Sequence, residues 1–267
     1  MSNRDDGVMQ PVLTDEQREP RSAARKLALR DLSLGVVCPM ANEEKSAAGI
    51  VAQVLEATQE FRQVRFYAVL DRASRDGTRE VLEKLAAGEA RLEVVWAPEN
   101  RGIVDAYVRG YREAIASGHD YILEMDAGFS HRPEDLAGFL EAMDGGYDCI
   151  FGSRFVPGGS MTDSPWHRRL VSRGGTVLAN LLLGTRLHDM TSGFELFSRS
   201  ALSEILDRGI RSRAHFFQTE IKYHARRMRI VEVPIRYSAT SPPVGLGSMG
   251  DALRHLLRLV WLRWTGS

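Results

Sequence analysis

From residue 33 onward the chain alternates between short continuous apolar runs and longer amphipathic stretches. The runs "LSLGVVCPM", "VRFYAVLD", "LEVVWAP", "YILEMD" and "DCIFGSRF" have strand length and no polar alternation, the pattern of strands covered on both faces. Between them the spacing predicts helices at about 46–60, 77–88, 102–117 and 133–144. This alternation predicts a parallel sheet with right-handed crossovers. The helix at 102–117 carries Gly102, Ala106, Gly110 and Ala114, a small residue at every fourth position, which lets it lie close against a neighbour. The helix at 133–144 opens on Pro133, suited to a first turn, with Glu134 and Asp135 at the positive dipole end.

After residue 156 the alternation stops. "VPGGSMTDSP" predicts a loop, residues from about Pro165 to Leu183 a helix, and "GTRLHDMTSGF" a turn followed by helical pieces to about Arg227. "RIVEVPIRY" predicts a strand, "SATSPPVGLGS" a loop, and residues 250–264 a last, amphipathic helix. In that helix Leu253, Leu256, Leu257, Val260 and Trp264 make one apolar face. Arg254, His255 and Arg258 lie opposite, interrupted by Leu259 and Leu262. Trp261 and Trp264 beside Arg258 and Arg263 suit a boundary between lipid and water.

A chain of 267 residues holds one α/β domain with a tail, or two small domains. Apolar residues at 43% and charged residues at 26% place it among soluble globular proteins. Lys plus Arg and Asp plus Glu are both 35, so overall charge points to no nucleic-acid partner. Cys38 and Cys149 each sit inside an apolar run and read as buried thiols of a reducing compartment, which predicts a cytoplasmic protein. Residues 1–32 carry charges throughout and no apolar core of a signal peptide; they are expected to form a mobile arm, turning helical near Ala23 to Leu29. No segment approaches the roughly 18 uncharged apolar residues that a membrane span needs.

Polar clusters fall at the ends of the predicted strands. The first strand ends in "CPMANEE", the second in "LDRASRDGT", the fourth in "MDAGFSH" and the fifth in "GSRFVPGG". In a doubly wound sheet, ligands bind at this carboxyl edge. Singly, each cluster has a structural reading. Asp76-Gly77-Thr78 is an ordinary turn into a helix, Glu43 and Glu44 favour a helix N-terminus, and Asp126 fits a helix cap. His131 is expected at the surface, and Arg154 follows a strand as a surface cation would. Four such clusters on one edge are what points to a site. No G-x-G-x-x-G, Walker, nucleophile-elbow or zinc spacing competes.

Taken in order, the clusters resemble the inverting family 2 glycosyltransferases of GT-A fold, and within them the polyprenyl-phosphate branch of dolichyl-phosphate mannose synthases and their bacterial relatives. The resemblance runs from about Leu34 to Leu262, through "VVCPMANEE", "LDRASRDGT", "ENRGIVDAYVRG", "EMDAGFSHRPEDL", "GSRFVPGG", "RRLVSRGG", "HDMTSGFELFSR" and "FFQTEIKYHARRMRIVEVPI". It implies a Rossmann-like, mostly parallel sheet flanked by helices. It divides the chain into an arm (1–32), a GT-A catalytic domain (33–240) and a C-terminal loop with the amphipathic helix (241–267). Pro39, Ala41, Glu43 and Asp71 fall where the family grips base and ribose. Asp126 falls on the acid approaching the diphosphate and its Mg²⁺ or Mn²⁺, with Gly128 beside it and Ser130 on a further metal-side position. Arg154, Arg168 and Ser172 fall where the branch holds phosphate groups, so Asp126, Arg154 and Arg168 are the candidate catalytic residues.

The departures are Arg72 for the second acid of an Asp-Asp pair, Ala41 for an aromatic, and Gly128 for the second metal-side acid. One carboxylate with substrate phosphates still suits a hard cation. The implied reaction moves a hexose from a GDP- or UDP-sugar to a polyprenyl phosphate with inversion. A phosphate acceptor, second pKa about 6, attacks already ionised, whereas a sugar hydroxyl needs a general base, for which Asp189 is the candidate. The alternatives are a same-fold enzyme acting on a polysaccharide, protein or small-molecule hydroxyl, and a non-catalytic nucleotide-sugar binder. The implied partners include the inner membrane surface, where the protein would be peripheral, or a membrane-embedded subunit that receives residues 250–264.

Overall fold

The computed structural model describes residues 12–13, 28–162, 166–238 and 246–265. In chain order the strands are β1 (Val12–Leu13), β2 (Ser33–Pro39), β3 (Gln63–Leu70), β4 (Leu92–Trp96), β5 (Tyr121–Glu124), β6 (Cys149–Ser153), β7 (Ser160–Thr162), β8 (Glu195–Ser198), β9 (Ile230–Pro234) and β10 (Arg236–Ser238). The α-helices are α1 (Ala47–Ala57), α2 (Thr78–Ala86), α3 (Ile103–Ala116), α4 (Leu136–Met143), α5 (Trp166–Leu183), α6 (Arg199–Arg208), α7 (Phe217–Ala225) and α8 (Leu246–Thr265). Most of the expected stretch from Ala23 to Leu29 lies outside the described residues; Leu29–Asp31 form one 3-10 turn.

An eight-stranded sheet runs β1-β9-β6-β8-β5-β2-β3-β4, and β7 pairs with β10 apart from it. β2, β3, β4 and β5 pair in parallel, as do β6 and β9. β8 lies antiparallel between β5 and β6, and β1 adds an antiparallel edge to β9. The expected parallel strands are present. β8 was not expected, because the sequence predicts a turn and helical pieces there. Its first residue, Glu195, is wholly buried and finds its counterion, Lys222, on the distant helix α7. The predicted strand "RIVEVPIRY" breaks at Pro234, which has no N–H to continue a ladder, and the chain then switches to β7.

Alternate residues of each central strand feed opposite cores. Val36, Cys38 and Phe66 pack with α1, α2 and α4, while Val37 and Tyr67 pack with α3, α6, α7 and α8. Two apolar faces explain why the strands read as unbroken apolar runs. Cys38 and Cys149 are buried, unpaired thiols in different cores.

The small-residue stripe packs α3 onto the sheet. Gly110 lies so close to β2 that a Cβ on it would stand 2.3 Å from Val37 Cγ1 and 3.1 Å from Val69 Cγ2. Ala106 and Ala114 are buried on the same face, and Gly102 sits just before the helix.

α8 packs on the domain by one side only. Its buried side carries His255, Leu256 and Leu259, and Arg258 donates to Glu220 Oε1 at 2.7 Å. The predicted polar face is therefore largely the packed one. Met249, Leu253, Leu257, Trp261 and Trp264, spaced by three or four, are each more than half exposed. α5 buries only Thr176, Ala179 and Leu183 among its described side chains and turns Trp166, Leu170, Val171, Val177 and Leu181 outward. Arg263 Nη1 joins the two helices by donating to Leu182 O at 2.8 Å.

The contact at Gly110 carries a stability prediction. Gly110→Ala overpacks the α3–β2 contact and lowers the unfolding free energy by about 1–3 kcal/mol despite the better helix propensity of alanine. Val37→Ala in the same chain returns part of that loss; urea unfolding of the three variants measures both effects.

Candidate active site

β2 and β5 are adjacent parallel strands, so the segments leaving them emerge side by side at one edge; Met125 N donates to Val37 O at 3.2 Å. The β3 end joins them on the other side of β2. Pro39 is buried, Ala41 is exposed, and Asp71 is buried with its Oδ1 accepting from Ala73 N at 2.8 Å. The loops after β2 and β3 are tied together. Glu43 N donates to Thr78 Oγ1 at 2.7 Å, Glu44 N to Asp76 Oδ2 at 3.1 Å, and Asn42 Nδ2 to Ala73 O at 3.1 Å. The hydroxyl of Thr78 holds the Asp76 carboxyl below its usual range. Pro39, Ala41, Glu43 and Asp71 thus converge on two strand ends locked by a shared hydrogen-bond set.

Asp126 stands at the β5 end with 40% of its side chain open to solvent. Two residues that sequence reasoning did not select orient it. Tyr107, on α3, donates its hydroxyl to Asp126 Oδ1 at 2.5 Å. Burial, and then Asp126 itself, push the Tyr107 phenol up, so it stays a donor. His131, expected at the surface, is buried: its ring stacks on Phe194 with centroids 4.8 Å apart, and Nδ1 accepts from Asp126 N at 2.9 Å. An accepting Nδ1 assigns the proton to Nε2, which lies 3.7 Å from Asp126 Oδ2. Burial pushes His131 down against the pull of Asp126, which keeps it neutral. Tyr107 could have been suspected from its helical spacing to Tyr111, one turn on, because Tyr111 donates to Glu124 just as Tyr107 does to Asp126.

Glu124 itself is wholly buried and bonded to Tyr111 and Gln218, so it lies behind the site. Burial and the neighbouring Glu195 carboxylate hold it well above the carboxylate range. Ser130 is buried, with its carbonyl accepting from Ser238 N at 3.1 Å. Gly128 adopts φ +68°, the left-handed region that favours glycine.

Arg154 follows β6 and is buried rather than a surface cation. Its Nε and Nη2 each donate at 2.7 Å to the two oxygens of Asp189, and Nη2 also reaches Thr191 Oγ1 at 2.5 Å. Asp189 additionally accepts from Arg154 N and Thr191 N, at 3.1 Å each. Burial opposes its ionisation, yet the Arg154 guanidinium holds its carboxyl below the usual range. A carboxylate so buried and so fully engaged is no general base. The adjacent residue Met190 donates its N–H to Thr176 Oγ1 on α5 at 3.1 Å. Arg168, Ser172 and Thr176 are spaced by four, so this α5 face looks toward the turn that holds Arg154. Arg168 and Ser172 are half-buried there, and Arg173 lies 5.1 Å over the Phe155 ring, which Arg154 also approaches at 5.3 Å.

Among the described residues no three His, Cys, Asp or Glu side chains gather as a metal cage. Asp126 instead offers a half-exposed carboxylate of fixed orientation, a donor set suited to a hard cation that keeps waters and takes its other ligands from substrate phosphates. A cavity of about 490 Å³ opens at the start of α3, lined by Arg101, Gly102, Val104, Asp105 and Arg213.

Comparison with known proteins agrees with this geometry. The polyprenol monophosphomannose synthase of Mycolicibacterium smegmatis is 32% identical over 226 residues, covering 83% of each chain. The undecaprenyl-phosphate mannosyltransferase of Micrococcus luteus is 32% identical over 238 residues, covering 86% of this chain and 95% of that one. The dolichol-phosphate mannosyltransferase of Pyrococcus furiosus is 29% identical over 88% of this chain and 65% of its own length. Among solved structures, glucosyl-3-phosphoglycerate synthase from Mycobacterium tuberculosis, in complex with Mn²⁺, UDP and glucosyl-3-phosphoglycerate, superposes with a TM-score of 0.62 at 15% identity, covering 92% of this chain and 85% of that one. That likeness shows a shared GT-A fold. Residues 35–206 match the sequence pattern of Glycosyl transferase family 2, and with the curated relatives this shows that the chain belongs to that family, in its polyprenyl-phosphate branch.

Proposed function

We propose that the enzyme transfers a hexose, mannose by the names of its relatives, from a nucleotide-diphosphate sugar to a polyprenyl phosphate with inversion. One juxtaposition carries the proposal. Tyr237 lies 5.5 Å from both Arg154 and the ring of His131, which bonds Asp126 N, and the turn that holds Arg154 bonds to α5, a helix that like α8 turns apolar side chains outward. Such a site suits an acceptor with an anionic head and an apolar tail.

The nucleotide lies over the β2 and β3 ends, where Pro39, Ala41, Glu43 and Asp71 meet. Asp126 approaches the diphosphate, held by Tyr107 and His131 so that no reorganisation is needed in the transition state. Asp126 would hold a divalent cation there, Mg²⁺ or Mn²⁺, which when bound would offset charge on the departing diphosphate. Arg154, Arg168 and Ser172 hold the acceptor phosphate, whose oxygen attacks the anomeric carbon as the nucleoside diphosphate leaves with the bonding pair. With Asp189 withdrawn into its pair with Arg154, a hydroxyl acceptor lacks the one base the sequence offered, whereas a phosphate already ionised near neutral pH needs none.

No helix among the described residues is long and apolar enough to cross a membrane. The outward side chains of α5 and α8, with Arg169 and Arg173 exposed on α5, instead rest on an anionic membrane surface, the inner face in this reading. Their apolar–basic mixture suits headgroup depth better than a protein groove.

A donor screen tests the reaction: UDP- and GDP-sugars with Mg²⁺ or Mn²⁺ and a short polyprenyl phosphate, with nucleotide release and labelled lipid as readouts. Asp126→Asn lowers transfer by about a hundredfold or more with the fold unchanged. No sugar on lipid with any donor removes the proposal.

Arg154 has a structural and a substrate role, which two variants separate. Arg154→Ala leaves Asp189 charged and buried, and lowers the unfolding free energy by about 3–5 kcal/mol. The double change Arg154→Met with Asp189→Leu removes both charges and regains much of that stability while transfer stays lost. Wild-type transfer by the double variant puts the acceptor phosphate elsewhere. Arg168→Ala lowers transfer while leaving stability near that of the wild type, and lysine restores it in part.

For the membrane face, Leu257→Glu with Trp261→Glu removes two apolar contacts worth about 1.5 kcal/mol each at the low end of side-chain burial. Flotation with phosphatidylcholine–phosphatidylglycerol vesicles then falls by about a hundredfold in affinity. Transfer to membrane-borne lipid drops far more than transfer to a short soluble analogue; equal losses make α8 a core element only.

A further inference from the structure

We propose that Glu43, from the β2 end, supplies the second carboxylate of the cation–diphosphate site, in place of the acid that Gly128 does not provide. This rests on the donor-site reading above and assigns a specific group within it.

The geometry is direct. A Cβ built on Gly128 would stand 2.9 Å from Glu43 Oε1, 3.1 Å from Oε2 and 3.3 Å from Cδ. The carboxylate end of Glu43, not its methylene stem, therefore fills the space that the first atom of a side chain at 128 would enter. An acid restored at 128 would crowd Glu43 instead of entering an open site.

Glu43 is also fixed there. Its N–H donates to Thr78 Oγ1 at 2.7 Å, its carbonyl accepts from Ser46 N at 3.0 Å and Ala47 N at 2.8 Å, and the Ser46 hydroxyl donates to Oε2. These bonds turn Oε1 toward Gly128. Residue 128 lies two positions beyond Asp126, and β2 and β5 are neighbours, so the two carboxylates come from adjacent strand ends.

The chemistry gives this arrangement a use. Two carboxylates on one side of a diphosphate repel it and each other unless a cation lies between them, and a hard divalent cation accepts one or two carboxylates with substrate phosphates. The competing account is a local one, in which Glu43 only braces the start of α1 through Ser46.

Binding of Mn²⁺ to the full chain, followed by loss of the free-ion EPR signal with GDP or UDP present, distinguishes the two without turnover. Glu43→Gln keeps the shape and an acceptor for Ser46 but removes the charge. It is expected to weaken Mn²⁺ uptake by about tenfold or more, with thermal unfolding close to that of the wild type. Gly128→Asp alone gains no Mn²⁺ affinity and unfolds at lower temperature, because two acids now compete for one space. Asp is among the residues that tolerate the left-handed conformation, so the double variant Glu43→Ala with Gly128→Asp, in which the space beside residue 128 is vacated, regains most of the lost uptake.

Unchanged Mn²⁺ uptake by Glu43→Gln overturns the assignment of Glu43. Tighter uptake by Gly128→Asp with Glu43 in place does so too, as does a double variant that recovers nothing. Wild-type chain that takes up no Mn²⁺ with either nucleotide overturns the donor-site reading itself, and this assignment with it.

Discussion

A buried guanidinium must meet a carboxylate, and the pairing of Arg154 with Asp189 is the contact on which the end of β6 and the segments around it depend. Breaking such a pair strands a charge in a medium that cannot solvate it. The pair is also a junction. Asp189 N donates to Glu232 on β9, Met190 N to Thr176 on α5, and Thr219 on α7 donates to Met190 O. One short turn, 189–191, thereby fixes the end of β6, the course of α5 and the start of α7 relative to one another. That is how an arginine at a strand end is tied to a helix well along the chain.

Behind this pair lies a second buried polar layer. Lys222 is enclosed with Glu195 and donates to Ser192 O at 2.6 Å, and Gln218 reaches Glu124. All nine residues of α7 are buried; among the polar ones Gln218, Thr219 and Lys222 meet Glu124, Met190 O and Glu195, and Glu220 accepts from Arg211 N, Ser212 N and Arg258. Replacing such pairs with well-packed apolar groups is often neutral or stabilising, so stability does not explain the layer. Its position does. Tyr107 and Tyr111, one turn apart on α3, clamp Asp126 and Glu124 in succession, so the buried layer and the open acid share a single rigid support.

The central strands were legible in the sequence because both of their faces are apolar, and that pattern belongs to each strand alone. The Gly110 stripe was legible because close approach of a helix demands small residues at a helical repeat. β8 was not, since Glu195 makes sense only beside Lys222, which lies on another element. The same holds for His131: a histidine near a proline looks solvent-exposed until Phe194 is seen against its ring. α8 shows a subtler limit. Apolar residues occur on both sides of that helix, so periodicity could not tell which side packs, and tertiary contacts with α7 and α5 chose the one with His255 and Leu259. Strand ends told where the polar clusters gather; what each acid touches required the other elements.

The two halves of the site are built to different tolerances. On the donor side, loops 39–46 and 71–78 are cross-bonded and Asp126 is clamped from two directions, so the carboxylate edge is preorganised. On the proposed acceptor side, α5 buries few described side chains, and its ties to the rest of the chain include Thr176 to the 190 turn, Asn180 Nδ2 to Leu187 O at 2.6 Å and Arg169 to Met161 O. A helix with so little buried area belongs to the low-stability end of a fold, where opening and repositioning cost least. Rigidity suits a small donor whose leaving group must be held in one geometry. The proposed acceptor, long and apolar, would enter from a fluid surface, and an element that adjusts while still presenting its arginines would admit it without loosening the sheet. In the proposed function the outward Trp and Leu side chains gain a physical role: contact with a membrane surface would supply the burial that the fold itself withholds from α5 and α8.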